Sequence, residues 1–167
     1  NIASHVAIRE KKTVGIFSLE MGQQELALRI LCAEADVFFS RIRSGHLSQQ
    51  QWVKVVQKMA EIGKAPMFID DSAAPTLLEV ASKARRLKAE KGLEVLVVDY
   101  LQLMQGEGSS GRENRVQEIS YISRTLKGLA RELDVPIVAL AQLSRAIENR
   151  HPRTPMLSDL RDSGSIE

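Results

Sequence analysis

The feature that most constrains the fold is an unbroken apolar run, residues 95–98 (VLVV), within the segment LEVLVVDYLQLM at residues 93–104. A strand buried on both faces of a parallel sheet needs such a run, whereas a half-exposed strand alternates apolar and polar residues. The run ends at Asp99, and open α/β sheets bind ligands outside the carboxyl ends of their strands. The run therefore predicts a buried parallel strand that ends at a ligand site. The alternative is an aspartate that only caps a turn.

Strand and helix patterns alternate along the rest of the chain. Apolar and β-branched runs predict strands over residues 13–19, 67–70, 93–99 and 137–142. Apolar residues spaced three or four apart predict helices at the start of the chain and over residues 23–35, 37–44, 49–62, 77–91 and through 116–133. This alternation predicts one α/β domain with a mainly parallel sheet flanked by helices.

Polar and glycine residues mark several helix ends. Ser48 and Thr76 are suited to N-caps, and Glu79 completes a capping box with Thr76. Gly45 and Gly92 follow helical patterns and predict their C-terminal ends. These signals fix the predicted boundaries of the helices.

Three further predictions concern surfaces and loops. The helix over residues 49–62 is expected to place Trp52, Val55, Val56 and Met59 on its inner face. The glycine- and serine-rich residues 105–112 predict a mobile loop, and the polar tail from Arg145 predicts loop with one helical turn at 156–160.

Composition excludes several classes of protein. The chain has 167 residues, and its net charge of +2 is too small to imply nucleic-acid binding by itself. No apolar run of about 18 residues or secretory signal is present, so no membrane association is expected. The single cysteine, Cys32, excludes an internal disulfide framework and is expected to be a small core residue. We expect a cytoplasmic protein.

Polar side chains follow three of the predicted strands. The strand patterns end at Glu20, Asp99 and Gln142. In a parallel sheet these positions share one edge, which predicts that the three groups converge on a nucleoside-triphosphate site. One carboxylate would orient a metal ion, a second would activate water, and the amide would bond the terminal phosphate. The alternatives are a helix-end role for Glu20 and a backbone-satisfying role for Gln142.

Arginines cluster after the last predicted strand, namely Arg145, Arg150, Arg153 and Arg161. Guanidinium groups in glycine- and serine-containing loops suit contacts to a phosphate backbone, and few aromatic residues are available to stack on bases. The pattern predicts binding to nucleic acid that does not depend on sequence. The alternative is a solvated basic surface.

The three histidines have no metal-ligand spacing, so no histidine or cysteine metal site is expected.

Four motifs together resemble the bacterial replicative DNA helicases of the DnaB type. They are FSLEMG at 17–22, VVDYLQLM at 97–104, ALAQLSR at 139–145 and LRDSGSIE at 160–167. The resemblance covers essentially the whole chain and implies a RecA-like P-loop NTPase core. It further implies a homo-hexameric ring that hydrolyses ATP with Mg²⁺, translocates on single-stranded DNA and unwinds the duplex. Primase and a helicase loader are the protein partners implied, as in a primosome.

The resemblance assigns roles residue by residue. Glu20 corresponds to the catalytic glutamate, Asp99 to the Walker-B aspartate that holds Mg²⁺, and Gln142 to the glutamine that senses the terminal phosphate. The DNA-contacting loop corresponds to Arg161, Asp162 and Gly164, with Arg145 in support. Residues 106–112 are implied to face the channel of the ring.

The chain also departs from this family. No GxxxxGK[ST] loop occurs in it, and such a loop would directly precede a helix like that of residues 1–11. We therefore expect residues 1–167 to be a partial C-terminal helicase domain, lacking the phosphate loop before Asn1 and the segments after Glu167, and to be inactive alone. The alternatives are another RecA-like ATPase of the recombinase type, or a non-catalytic module that binds DNA or docks on a helicase.

Overall fold

The computed structural model describes residues 1–104 and 112–160, without the side chains of 112–116, 145 and 158. Six α-helical elements are described: α1 (Ile2–Ser4, continued by a π-helical stretch, His5–Arg9), α2 (Gln23–Ala35), α3 (Phe39–Ser44), α4 (Gln49–Ile62), α5 (Leu77–Lys91) and α6 (Arg112–Leu133). Four strands are described: β1 (Val14–Ser18), β2 (Met67–Asp70), β3 (Val95–Asp99) and β4 (Ile137–Ala139). Short 3₁₀ turns cover Leu101–Leu103, Arg145–Asn149 and Leu157–Asp159.

The four strands form one sheet in the order β2-β1-β3-β4, and every neighbouring pair is parallel. The two central strands, β1 and β3, pair from Val14 with Val95 to Ser18 with Asp99. The carboxyl ends of all four strands therefore lie along one edge of the sheet. The predicted α/β class with a parallel sheet is confirmed.

Apolar packing covers both faces of the sheet. On one face α5 and α6 bury Leu96 and Val98 of β3, together with Ile119 and Ile122 of α6. On the other face α1 and Leu26 of α2 pack on β1 and on the partly buried side chains of Val95 and Val97. The unbroken apolar run of β3 is thus explained by its position between two layers of helices.

The predicted helix ends are confirmed. Ser48 and Thr76 each accept a hydrogen bond from the third backbone N–H of the helix that follows, and each belongs to a capping box. Gly45 and Gly92 end α3 and α5 with φ angles of 73° and 67°, in the left-handed region that glycine tolerates best.

The predicted inner face of α4 is wrong. Only Val55 is buried, in a small cluster with residues of α2 and α3, whereas Trp52, Val56 and Met59 are each more than half exposed. These three side chains form a separate stripe, and the face that contains Val55 is the one packed on α2. Periodicity found an apolar helix, but it assigned the wrong side to the core.

The last strand is shorter than predicted. β4 ends at Ala139, because the backbone turns away after Leu140 donates one more hydrogen bond to the carbonyl oxygen of Val98. Gln142 therefore lies in the loop that follows the strand.

The predicted loop at 105–112 falls outside the described residues, apart from Arg112, which begins α6. Within the described part of the chain, no helix has the length and apolarity needed to cross a membrane.

Candidate functional site

Asp99 is the last residue of β3 and lies at the centre of the carboxyl edge of the sheet. It is half-buried and pairs in register with Ser18 of β1. Its backbone carbonyl accepts a hydrogen bond of 2.8 Å from the amide of Leu19, so the pairing continues into the turn after β1. The two central strands therefore hold Asp99 in a fixed place, beside the segment that carries Glu20.

Glu20 lies in a tight turn between β1 and α2, and its side chain is exposed. Two hydrogen bonds fix this turn: the Ser18 hydroxyl donates to the carbonyl of Met21 at 2.7 Å, and the Asp71 carboxylate accepts from the amide of Gln23 at 2.8 Å. The side chain of Asp71 thus satisfies an amide in the first turn of α2, whose own N-cap has no side-chain cap. The turn is anchored at both ends while the Glu20 carboxylate stays open to solvent.

Gln142 is exposed and lies three residues beyond β4. Its backbone is held by the side-chain amide of Gln102, which follows Asp99 closely in the chain. Gln102 Oε1 accepts from the Gln142 amide at 3.2 Å, and Gln102 Nε2 donates to the Gln142 carbonyl at 3.4 Å. The segment after β3 therefore positions the residue predicted to sense phosphate.

The outer strand β2 also ends in a carboxylate, Asp70, but that group has a local partner. Lys83 of α5 lies 2.6 Å from Asp70 Oδ2, and the amide of Ser72 donates to Oδ1 at 3.1 Å. Partial burial acts to raise the pKa of Asp70, but the hydrogen bonds from Lys83 and Ser72 outweigh it and the pKa lies below its ordinary value. Asp70 is thus a structural ion-pair partner.

Glu20, Asp99 and Gln142 therefore follow three adjacent parallel strands along one edge of the sheet. This arrangement offers two carboxylates and one amide to a ligand placed outside that edge. Their individual catalytic roles stay predictions.

The donor set fits a magnesium ion that a nucleotide brings with it. Mg²⁺ typically keeps several waters and uses one or two carboxylates plus substrate phosphates, so Asp99 alone is an adequate protein ligand. Among residues 1–104 and 112–160, no group of three or more histidine, cysteine, aspartate or glutamate side chains is placed to hold a metal ion without such help.

The residues predicted to bind DNA are only partly described. Arg161, Asp162 and Gly164 lie outside the described residues, and Arg145 begins a 3₁₀ turn without a described side chain. The guanidinium of Arg150, which was also predicted to contact a phosphate backbone, is bound to the Asp159 carboxylate.

Sequence reasoning missed Asp71 and Gln102, which position the site, and Asp159, whose carboxylate binds Arg150. Two of them bond residues distant in the sequence, at separations of 48 positions for Asp71 and Gln23 and 40 for Gln102 and Gln142. Local patterns carry no signal for such pairs. The nearest available hint was that Asp71 follows a predicted strand end, as Glu20 and Asp99 do.

Known proteins that resemble this chain do so over its whole length. The family model described as "DnaB-like helicase C terminal domain" matches residues 1–167. The replicative DNA helicase DnaB of Geobacillus stearothermophilus is 50% identical over 167 residues, which cover 100% of this chain and 37% of that protein. The replicative DNA helicase DnaC of Bacillus subtilis is 48% identical with the same coverage. The chain thus spans little more than a third of these relatives.

Solved structures agree with this result. A structure described as a DnaB-like replicative helicase and its interactions with primase superposes with a TM-score of 0.90 at 35% identity, over 98% of this chain and 39% of the other. A second structure, described as an ATPase domain, superposes with a TM-score of 0.89 at 34% identity, over 98% of this chain and 58% of the other. The fold is therefore that of the RecA-like ATPase domains of such helicases.

Proposed function

The chain belongs to the DnaB-like helicase C-terminal domain family, and we propose that it is part of the ATP-driven motor of a hexameric replicative DNA helicase. In this proposal the ring translocates on single-stranded DNA and unwinds the duplex at the replication fork. The observation that carries it is the placement of Glu20, Asp99 and Gln142 after three adjacent parallel strands, at one edge of the sheet.

Each of the three residues has a distinct task in this proposal. The Asp99 carboxylate would hold Mg²⁺, and the ion, when bound there with ATP, would neutralise charge on the phosphates. The Glu20 carboxylate orients a water molecule and accepts its proton as the water attacks the terminal phosphorus, and the bond from that phosphorus to the oxygen of the departing ADP breaks. The uncharged side chain of Gln142 donates a hydrogen bond to that phosphate, where a carboxylate would repel it. Exposure of Glu20 and Gln142 supports these roles, since both must reach a ligand outside the sheet.

DNA binding is assigned to the segment after the last strand. We propose that Arg161, Asp162 and Gly164, with Arg145, follow the phosphate backbone without reading bases. Guanidinium groups and free backbone N–H groups suit that task. Primase and a helicase loader are the proposed protein partners, and the proposed location is the cytoplasm.

Hydrolysis also requires groups outside these residues. Residues 1–167 contain no GxxxxGK[ST] loop to cradle the β- and γ-phosphates. We therefore propose that these residues alone neither turn over ATP nor unwind DNA, and that activity belongs to the full-length protein.

The decisive test is Glu20→Gln in the full-length protein. Loss of a general base costs about 10²–10⁴-fold in rate, so DNA-stimulated ATP turnover should fall by about that factor. Binding of a fluorescent ATP analogue should persist, because Glu20 is not proposed to hold the nucleotide. Both quantities are measured on the same preparation, by phosphate release and by fluorescence titration.

The matched control is Glu90→Gln, which removes an exposed carboxylate near the end of α5. The chain passes from α5 into the start of β3, so Glu90 lies at the opposite edge of the sheet from Asp99. This variant should keep wild-type turnover. Unchanged turnover in Glu20→Gln would contradict the proposal and favour a non-catalytic module that binds DNA or docks on a helicase.

A further inference from the structure

The segment after β4, residues 142–160, folds back on itself. It connects Gln142, at the proposed nucleotide site, with the residues before the proposed DNA-binding segment. The amide of Ser144 donates to the carbonyl of Asp159 at 2.7 Å, and Leu143 and Leu160 form an antiparallel bridge. Ser144 lies two positions after Gln142, and Leu160 directly precedes Arg161. The backbone thus places the residues that directly follow Gln142 beside Asp159 and Leu160, the last residues before the proposed DNA-binding segment.

Asp159 is the centre of this fold-back. It is only 3% exposed, although it lies in a polar tail. Its carboxylate accepts hydrogen bonds from Arg150 Nη1 at 3.0 Å and from Arg150 Nη2 at 2.5 Å. The amide of Met156 also donates to it, at 2.8 Å. The side chain of Asp159 therefore binds Arg150 and Met156, while its backbone carbonyl binds Ser144.

The contact between Arg150 and Asp159 fixes how the two side chains are oriented. A guanidinium that binds both oxygens of a carboxylate fixes the relative orientation of the two groups, which a lysine cannot do. Arg150 also donates to the carbonyl of Thr154 at 2.8 Å, so its position is fixed from a second side. At the other end of the segment, the Gln102 side chain holds Gln142 against the residues that follow Asp99. Hydrogen bonds therefore connect Gln102 to Gln142 at one end of the segment and Ser144 to Asp159, the residue before Leu160, at the other.

We propose that Arg150 and Asp159 are a positioning pair that couples the nucleotide site at Gln142 to the DNA-binding segment at Arg161. This inference rests on the proposed helicase function. Neither residue contacts nucleotide or DNA in this scheme. Their ion pair keeps the two segments in register, so that DNA binding at one end changes the rate of hydrolysis at the other.

The test uses the full-length helicase and measures ATP turnover with and without single-stranded DNA. Arg150→Gln and Asp159→Asn should each keep basal turnover within about twofold of wild type and lose most of the stimulation by DNA. The double variant should be no worse than either single variant, because the two side chains act as one unit. Arg150→Lys, which keeps the charge but not the two-point contact, should also lose stimulation.

Two controls separate coupling from simpler effects. Arg131→Gln removes an exposed arginine from the last turn of α6 and should keep full stimulation, which excludes loss of positive charge as the cause. Thermal unfolding of every variant shows whether the protein is folded. A merely structural role would lower basal and stimulated turnover in the same proportion.

Each outcome is decisive. Full stimulation in folded Arg150→Lys and Asp159→Asn overturns the proposal, and so does a proportional loss of both rates. If Arg150→Gln does not fold, Arg150→Lys and Asp159→Asn decide the question. Wild-type protein without ATP turnover would instead refute the helicase function itself, so the two failures are distinguishable.

Discussion

At the scale of single residues, close packing under α5 decides what Gly15 tolerates. A Cβ atom at this position of β1 would lie 2.9 Å from Leu87 Cδ2 and 3.0 Å from Leu96 Cδ1, so these leucine side chains would have to shift to admit it. Gly15→Ala should therefore destabilise the fold by about 1–3 kcal/mol through overpacking. Urea denaturation measures this change in the free energy of unfolding.

Gly128 provides the matched control for this prediction. A Cβ atom there, on α6, meets nothing within 4 Å. Gly128→Ala should stabilise the fold by up to about 1 kcal/mol, because alanine favours a helix over glycine. Equal effects of the two substitutions would show that the close approach at Gly15 carries no energetic cost.

Residue-level features were predictable where their cause is local. The capping boxes at Ser48 and Thr76 and the glycine ends at Gly45 and Gly92 involve neighbours in the chain, so the sequence contains the whole signal. The contact between Gln102 and Gln142 does not involve neighbours in the chain, because the fold brings together residues 40 positions apart. The site was thus predicted as a set of strand ends, without the side chains that hold it in place.

At the scale of elements, α4 shows which of two apolar faces a helix buries. Val55 is 5% exposed and Val56 is 53% exposed, although they are neighbours with the same side chain. Val55→Ala should cost roughly 1–3 kcal/mol through lost burial and an unfilled space. Val56→Ala should change the free energy of unfolding by less than about 0.5 kcal/mol. Urea denaturation of both variants tests this difference, and similar losses would mean that the exposed stripe is packed after all.

The failure at α4 has a physical reason. Its apolar residues form two adjoining stripes, and 3.6-residue periodicity gives both the helical pattern of an inner face. The choice between them depends on α2 and α3, which offer the pocket formed by Ala35, Val37 and Ile42 to Val55. β4 is a related case, because its apolar pattern continues to Leu140 and Ala141 although the strand itself ends at Ala139.

At the scale of the whole molecule, hydrogen-bonded carboxylates set the response to acid. Hydrogen bonds from Lys58, Thr76, Arg85 and Arg150 hold the pKa values of four groups below their ordinary values of 4.5 for glutamate and 3.8 for aspartate: Glu61, Glu79, Glu132 and Asp159. The unfolded chain therefore binds more protons than the native protein in acid. Their stabilising contribution is present above pH 4.5 and is lost as pH falls through the native pKa values.

The urea midpoint should thus fall as the pH is lowered from about 5 to 3. Glu132→Gln removes the carboxylate that receives the two hydrogen bonds of Arg85, at 2.6 and 2.8 Å, and should make this decline shallower. A midpoint that stays constant or rises over this range would contradict the pKa directions.

The fold class itself was fully predictable, because the alternation of strand and helix patterns and the apolar run at 95–98 permit few arrangements. The order of the strands was not, since no local pattern states that β1 lies between β2 and β3. That order determines which strand ends become neighbours.

The order β2-β1-β3-β4 also has a consequence for how the chain folds during synthesis. The central pair joins residues such as Val14 and Val95, about 80 positions apart. The five residues of β1, all buried in the folded protein, therefore cannot pair with β3 until β3 has left the ribosome. Such non-local parallel pairing is slow to form and exposes apolar strands on the way. We therefore expect β1 to expose its apolar residues in the interval between its own synthesis and that of β3.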